Sequence, residues 1–397
     1  MPTLTICVTV DWEGWNLEPA NLNAMTAFRK QFPTIPLTHF ICPAYLTRDG
    51  NLQEISGLIS EQVRRGDEVA LHVHCWQSLL TAAGVNPVLE PSWYINGDVG
   101  PTFNYGNGQV DQGHGVPLGF YSAENVGKII AYGNQLLVKN HIALATPVSF
   151  RCGGWMSADP VQVALQAQHV ANDSSSTDAP YFTQIDHLLR NANCQLATWV
   201  AKLWGTIAVP HPTYLANTLS HEVQPAGGTA TTQPYPISGV LQVPDNGVLA
   251  DYLKVQMMYD RLHEAWQLAA QRDFVHVCGF HQESATFQNI YGEKSTNLDN
   301  FTTALAQFLS DVGPVAADAV DDNELAAGRI VPIASSGVPK ASGNQKVVFN
   351  TDRGISKRLP GVEVEYVPLG ATERQQRRDR LAKALASPPD MTKRFWG

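Results

Sequence analysis

What this chain lacks narrows it first. No apolar run approaches the ~20 residues of a membrane-spanning helix, and the run at 4–10 is stopped by Asp11 and Glu13. No basic stretch precedes that run, as an export signal would require, so the expected location is the cytoplasm. The six cysteines (Cys7, Cys42, Cys75, Cys152, Cys194, Cys278) show no CxxC spacing and lie mostly in apolar runs. They read as reduced, small hydrophobes, which fits the same compartment. The basic surplus of a nucleic-acid binder is missing too: the net charge is −9, the wrong sign for a phosphate backbone. There is no GxSxG nucleophile elbow, no GxxxxGK[ST] phosphate loop and no internal repeat.

At 397 residues the chain is long enough for two domains or one large barrel with insertions. From residue 1 to about 315, apolar runs alternate with amphipathic stretches. The runs lie at 4–10, 37–42, 69–75, 147–152, 169–172 and 274–280. Helical patterns fall at 21–31, 52–65, 123–139, 159–168, 183–191, 249–272 and 298–312. Such alternation predicts βα units and a parallel sheet. Polar residues follow the runs: Asp11, Glu13, His72, His74, Arg151, Asp173 and His281. Parallel α/β folds build their sites at the carboxyl ends of the strands.

Two loops interrupt the rhythm. Residues 91–120 are rich in Gly, Asn, Asp and aromatics, and 222–247 in Pro, Gly and Thr; loops this long are functional lids or disordered. The loop aromatics either stack on sugar rings or pin the loop to the body. The expected division is a catalytic domain over 1–335 and a C-terminal extension over 336–397. The extension carries a basic helix at 371–386, with Thr372 and Gln375 as a capping box, read as a packing element or an oligomer contact.

The chemistry concentrates in two pairs. Residues i and i+2 of a strand share a face, so Asp11-x-Glu13 and His72-x-His74 can each aim at one point. Burying two imidazoles without a partner is costly. A catalytic zinc ion takes three protein ligands and keeps a position open; Glu13, His72 and His74 supply three, with Asp11 beside the water. The alternative is that the two acids cap the next helix. Arg151 either holds a carboxylate, a bidentate task for which arginine is suited, or makes an ordinary surface ion pair. His281 suits a general acid. Asp173 either fixes a histidine tautomer, touching the substrate site, or caps a turn.

These residues carry a resemblance. Thr9-Val10-Asp11-Trp12-Glu13-Gly14, Ile35-Pro36-Leu37-Thr38-His39-Phe40 and Gly66-Asp67-Glu68-Val69-Ala70-Leu71-His72-Val73-His74 resemble successive blocks of the polysaccharide deacetylase (NodB-homology) family. Phe150-Arg151-Cys152-Gly153-Gly154-Trp155 and Gly279-Phe280-His281 resemble its arginine and final histidine motifs. The resemblance spans about residues 4–285 and implies a distorted (β/α) barrel of about seven parallel strands. It implies removal of N- or O-linked acetyl groups from a sugar or related small molecule with a divalent metal, zinc being the expected ion. By that resemblance Asp11 is the general base, Glu13 and His72 are metal ligands, Arg151 orients the base and His281 is the general acid. Trp155 would wall the acetyl pocket, and Trp12 would face the substrate. The chain departs from the family in three places. The family histidines are four apart, which would fall on Trp76, so the ligand role of His74 rests on strand spacing. Glu13 stands where the family has Asp, and the arginine motif lacks its proline and tyrosine. The rival readings are a cyclic-amide hydrolase on the same barrel and a carbohydrate-binding relative without catalysis.

Overall fold

The computed structural model describes residues 2–48, 50–94, 97–176, 233–237, 239–289, 291–312, 316–317 and 345–356. Strand β1 (Thr3–Trp12) is followed by α1 (Pro19–Gln31), β2 (Leu37–Ile41), α2 (Leu52–Ser60), β3 (Glu68–Val73) and α3 (Gln77–Ala82). A small hairpin, β4 (Phe103–Asn104) and β5 (Val110–Asp111), precedes α4 (Ala123–Lys139), β6 (Ser149–Cys152), α5 (Asp159–Ala167) and β7 (Asn172–Asp173). Then come β8 (Tyr235–Ile237), β9 (Val240–Gln242), α6 (Val255–Ala269), β10 (Phe274–His281) and α7 (Asn297–Val312). Short β11 (Ala316–Ala317), β12 (Lys346–Phe349) and α8 (Asp352–Ser356) complete the described residues.

Seven strands run parallel in the order β10-β1-β2-β3-β6-β7-β9, a curled sheet wrapped by helices. An isolated parallel bridge between Leu249 and Gly279 brings the chain after β9 back against β10. The fold is a distorted (β/α) barrel. Strand β1 is buried nearly throughout, as parallel strands covered on both faces are. Local signals agree with the tertiary ones. Ser122 caps α4 by accepting from the Asn125 amide, Asn51 caps α2 through Glu54, and α1 opens with Pro19, whose missing N–H costs nothing in a first turn.

Three expectations need correction. The 249–272 helix is broken: a 3-10 turn at Ala250–Tyr252 precedes α6, and Leu253 is extended. The 52–65 helix stops at Ser60, because the chain must turn through Gly66 to deliver Asp67 to Arg29. The stretch after 335 is not wholly outside the barrel. Its apolar Val347-Val348-Phe349 run forms β12, which pairs with the first half of β1 (Thr3 to Ile6) while β2 takes the second (Val8 to Trp12). Beyond it Asn350, Thr351 and Asp352 are buried, and the Arg353 amide donates to Glu68 at 2.8 Å. The 183–191 and 371–386 helices lie outside the described residues. Among the described residues no helix is long and apolar enough to cross a membrane, and the five described cysteines are buried.

Candidate metal centre and active site

Asp11 ends β1 directly beside His281 of β10, and His72 of β3 pairs with Arg151 of β6. Four strands therefore aim at one point. Asp11 and Glu13 do not cap a helix, since α1 starts only at Pro19.

Glu13 is the hub. Its Oε1 lies 3.1 Å from His72 Nε2, and its Oε2 lies 2.7 Å from His74 Nε2. A third imidazole, His114, reaches the same Oε2 at 2.7 Å, and His281 Nε2 stands 3.5 Å from Oε1. Burial alone would raise the Glu13 carboxyl, but the His74 charge and the imidazole hydrogen bonds outweigh it and hold it well below the usual carboxylate range.

The far sides of the rings decide what the near sides can do. His72 Nδ1 lies 2.9 Å from the Arg151 carbonyl, and His74 Nδ1 lies 2.8 Å from the His114 carbonyl. A carbonyl only accepts, so both Nδ1 atoms carry the proton. A neutral ring would then point a lone pair from Nε2 at Glu13. Lone pair against carboxylate is repulsive unless a proton or a cation lies between. His74 Nε2 is moreover buried without an aligned hydrogen bond, despite its 2.7 Å approach. Backbone carbonyls that fix the tautomer of inward-facing imidazoles are the usual arrangement behind metal-ligating histidines. The nitrogen and oxygen atoms of Glu13, His72 and His74 lie within 4.8 Å of one another. The donor set fits a divalent cation of the zinc type. Gly153 permits this packing, because a Cβ there would sit 2.7 Å from the His74 ring.

Arg151 is fully buried, so the surface ion-pair alternative fails. Its Nη1 donates to Asp11 Oδ1 at 2.7 Å and to Thr9 Oγ1 at 3.1 Å. Its Nη2 and Nε are taken by the Ser174 hydroxyl and carbonyl, and the guanidinium lies over Phe40 at 4.3 Å. Asp11, Glu13 and His281 form a second cluster within 4.8 Å. His281 Nδ1 lies 2.9 Å from Asp251 Oδ2. Burial pushes His281 down, but the Asp251 charge and hydrogen bond, helped by Glu13 and Asp11, raise it to about 10.

Trp155 stands at the edge of this cluster. Its indole donates to Asp245 at 3.1 Å, and its ring meets Tyr252 edge-on, which in turn meets His281 edge-on. Two expected substrate contacts are corrected. Trp12 is fully buried, and its indole N–H is given to His39 Nδ1 at 3.3 Å, so it is a core residue. Asp173 is fully buried and accepts from Ser157 at 3.1 Å, from the Ser175 amide at 3.0 Å, and from Gln162. The Nδ1 atoms of His72, His74 and His281 are held instead by the Arg151 carbonyl, the His114 carbonyl and Asp251. Cys42, near the cluster, is pushed up to about 12 by burial and stays a thiol.

Sequence reasoning missed His114, Asp245, Asp251 and Glu283. Gly113-His114-Gly115, a histidine between glycines in an unusually long loop, was the available signal for the first. The others reach the site from turns whose direction no periodicity reports. Glu283 accepts the backbone N–H groups of Glu13 at 3.1 Å and Trp15 at 3.2 Å, and the hydroxyl of Tyr45.

No protein-family model matches the chain, and no curated protein does. Solved structures similar to it include a family 4 carbohydrate esterase from Streptomyces lividans in complex with acetate, at 10% identity and TM-score 0.34, covering 77% of this chain and 88% of that one. Puue allantoinase is similar at 10% identity and TM-score 0.38, over 77% and 82% of the two chains. A 4-alpha-glucanotransferase from Thermococcus litoralis is similar at 8% identity and TM-score 0.42, over 98% of this chain but 46% of its own. Their three different activities leave the function to be argued from the site.

Proposed function

We propose that the protein is a hydrolase that removes N- or O-linked acetyl groups from a carbohydrate or a related small molecule, with a divalent cation held by Glu13, His72 and His74. The observation that carries this reading is the asymmetry of Asp11: Arg151 engages Oδ1 at 2.7 Å, while the other oxygen has no hydrogen bond among the described residues. A carboxylate anchored through one oxygen and open at the other is placed to take a proton.

Asp11 accepts a proton from the water that attacks the acetyl carbonyl. Arg151 keeps Asp11 aimed, and itself cannot serve as the acid. His281, protonated and held by Asp251, faces the same point through Nε2 and gives its proton to the departing nitrogen or oxygen. Trp155 and Tyr252 form an aromatic wall beside it. The cation, when bound, supplies Lewis acidity for the carbonyl and lowers the pKa of water. Hydrolysis at an acyl carbon rests on this geometry; the acetylated carbohydrate rests on the five sequence blocks.

The test is elemental analysis of the full chain beside His74→Ala, followed by acetate release from N-acetylated and O-acetylated sugars before and after chelation. About one zinc-like ion per chain, lost in the variant, with cation-dependent acetate release, is the expected result. A wild-type chain that holds no metal and takes up none from added zinc overturns the proposal.

A further inference from the structure

We propose that His114, carried by the insertion between α3 and α4, is a fourth protein ligand of the cation, so that loading the site ties that insertion to the barrel mouth. The inference rests on the hydrolase reading above, and it concerns a residue that no block of the sequence resemblance contains. The imidazoles of His74 and His114 stack at 3.8 Å between centroids and 10° between planes. Both Nε2 atoms come to 2.7 Å from one oxygen, Glu13 Oε2. Both nitrogens are therefore within reach of a cation held at Glu13; stacked rings point their in-plane lone pairs side by side, so loading would turn His114 out of the stack to let both converge on the ion.

The insertion is built to deliver that ring. Gly113 has φ +105°, open to glycine alone at low cost, and a Cβ there would strike the Cys75 carbonyl at 2.3 Å. The close approach lets the Gln77 amide donate to the Gln112 carbonyl at 2.8 Å. One residue earlier, Asp111 is buried and accepts from Arg48 Nε at 2.7 Å, the Ser78 amide at 3.0 Å and the Ser78 hydroxyl at 2.6 Å. Arg48 lies between Trp76 at 4.5 Å and Phe103 at 4.4 Å, clamping the hairpin to the body. The His114 carbonyl fixes the tautomer of His74. The same residue therefore orients one ligand and presents another nitrogen to the same point. Trp76 packs edge-on against the His114 ring at 5.6 Å and helps seat it.

The test uses the full-length protein and Co2+ as the probe. Wild type, His114→Ala, His114→Gln and His114→Gly are titrated against a chromophoric chelator, the visible absorption of bound Co2+ is recorded, and amide exchange over residues 103–116 is followed without and with the ion. Wild type is expected to bind one ion, with exchange over 103–116 slowing on loading. His114→Ala and His114→Gln are expected to bind at least about 10-fold more weakly, the lower end of what losing even an outer partner costs. Their absorption should change, and loading should no longer protect 103–116. Free imidazole should restore the wild-type spectrum to His114→Gly, which separates a lost ligand from a damaged fold. Variants that keep the wild-type affinity and spectrum overturn the His114 assignment and leave the hydrolase reading standing. A wild type that takes up no ion overturns both.

Discussion

Two of the arginine–aspartate pairs buried in this barrel are built on opposite principles. Near the amino ends of the strands, Asp67 is saturated. Arg29 Nη2 reaches both of its oxygens at 2.9 Å, the amides of Leu37 and Arg64 donate at 2.9 and 2.8 Å, and His39 Nε2 lies at 3.3 Å. His39 in turn receives the Trp12 indole, so a closed chain of bonds runs from the core to Arg29. At the carboxyl ends, Asp11 takes one short bond from Arg151 and keeps an oxygen in reserve. Around it, imidazole nitrogens crowd Glu13 with their tautomers already committed. A saturated buried charge holds a fold together, because losing a partner strands the rest. An unsaturated one is kept at a cost to stability, and its unmet valence is where chemistry can start.

The comparison breaks most sharply at Asp11. Asp11→Asn keeps the shape but cannot take a proton, so kcat for acetate release by the cation-loaded protein should fall about 10²–10⁴-fold. Stability should fall less than in the Asp67 variant, since Asp245 still faces Arg151 at 4.0 Å. A loss in kcat smaller than about 10-fold would remove Asp11 from the base role.

Asp67→Asn should do the reverse. It leaves Arg29 buried without its counter-charge, and the expected cost is about 3–5 kcal/mol in denaturant unfolding. The pH dependence follows from the sign of the shift. Burial pushes the Asp67 carboxyl up, but the His39 hydrogen bond and charge, Arg29 and the Leu37 amide outweigh it and bring it below its ordinary value. Its stabilisation is therefore whole above the unfolded value of about 3.9 and is lost as pH falls through the lower folded value. Wild type should lose stability over that acid range more steeply than Asp67→Asn. Parallel curves for the two proteins would show that Asp67 does not carry the effect.

How much of this was readable in advance depended on whether the information was local. The i, i+2 spacing of His72 and His74 put both rings on Glu13, because strand alternation needs nothing from the rest of the chain. The barrel was legible from the same alternation, since polar residues ended apolar runs one after another. Trp12 misled for a related reason: it alternates with Asp11 and Glu13 and so faces the other way, into the core and His39. Asp173 looked like a partner for histidine because it ends a strand, yet serine donors from neighbouring loops and Gln162 of α5 occupy it. Asp251 was illegible and His114 was marked only by its flanking glycines, since each is brought to the site by a loop whose path is set by tertiary contacts such as Arg48 with Asp111. Strand β12 was hidden differently: three apolar residues, Val347 to Phe349, were submerged in a stretch whose glycines and serines read as linker.

Glu283 sharpens the comparison, because it sits at the functional end yet is built like Asp67. Its two oxygens accept the amides of Glu13 and Trp15 and the Tyr45 hydroxyl, so it is saturated although it lies one residue from Gln282 and two from His281. If saturation rather than position decides a carboxylate's role, Glu283→Gln should behave as a fold variant. Turning one acceptor into an NH2 group opposes one of those N–H donors, and the expected cost is about 1–3 kcal/mol in unfolding free energy. The Glu13 backbone would lose its anchor, so cation affinity should weaken while kcat of the loaded protein stays close to wild type. Glu283→Asp, which keeps the acceptors, should recover part of the affinity. A large fall in kcat at saturating cation, with stability unchanged, would instead make Glu283 a participant in proton transfer and show that at this end of the barrel position outweighs saturation.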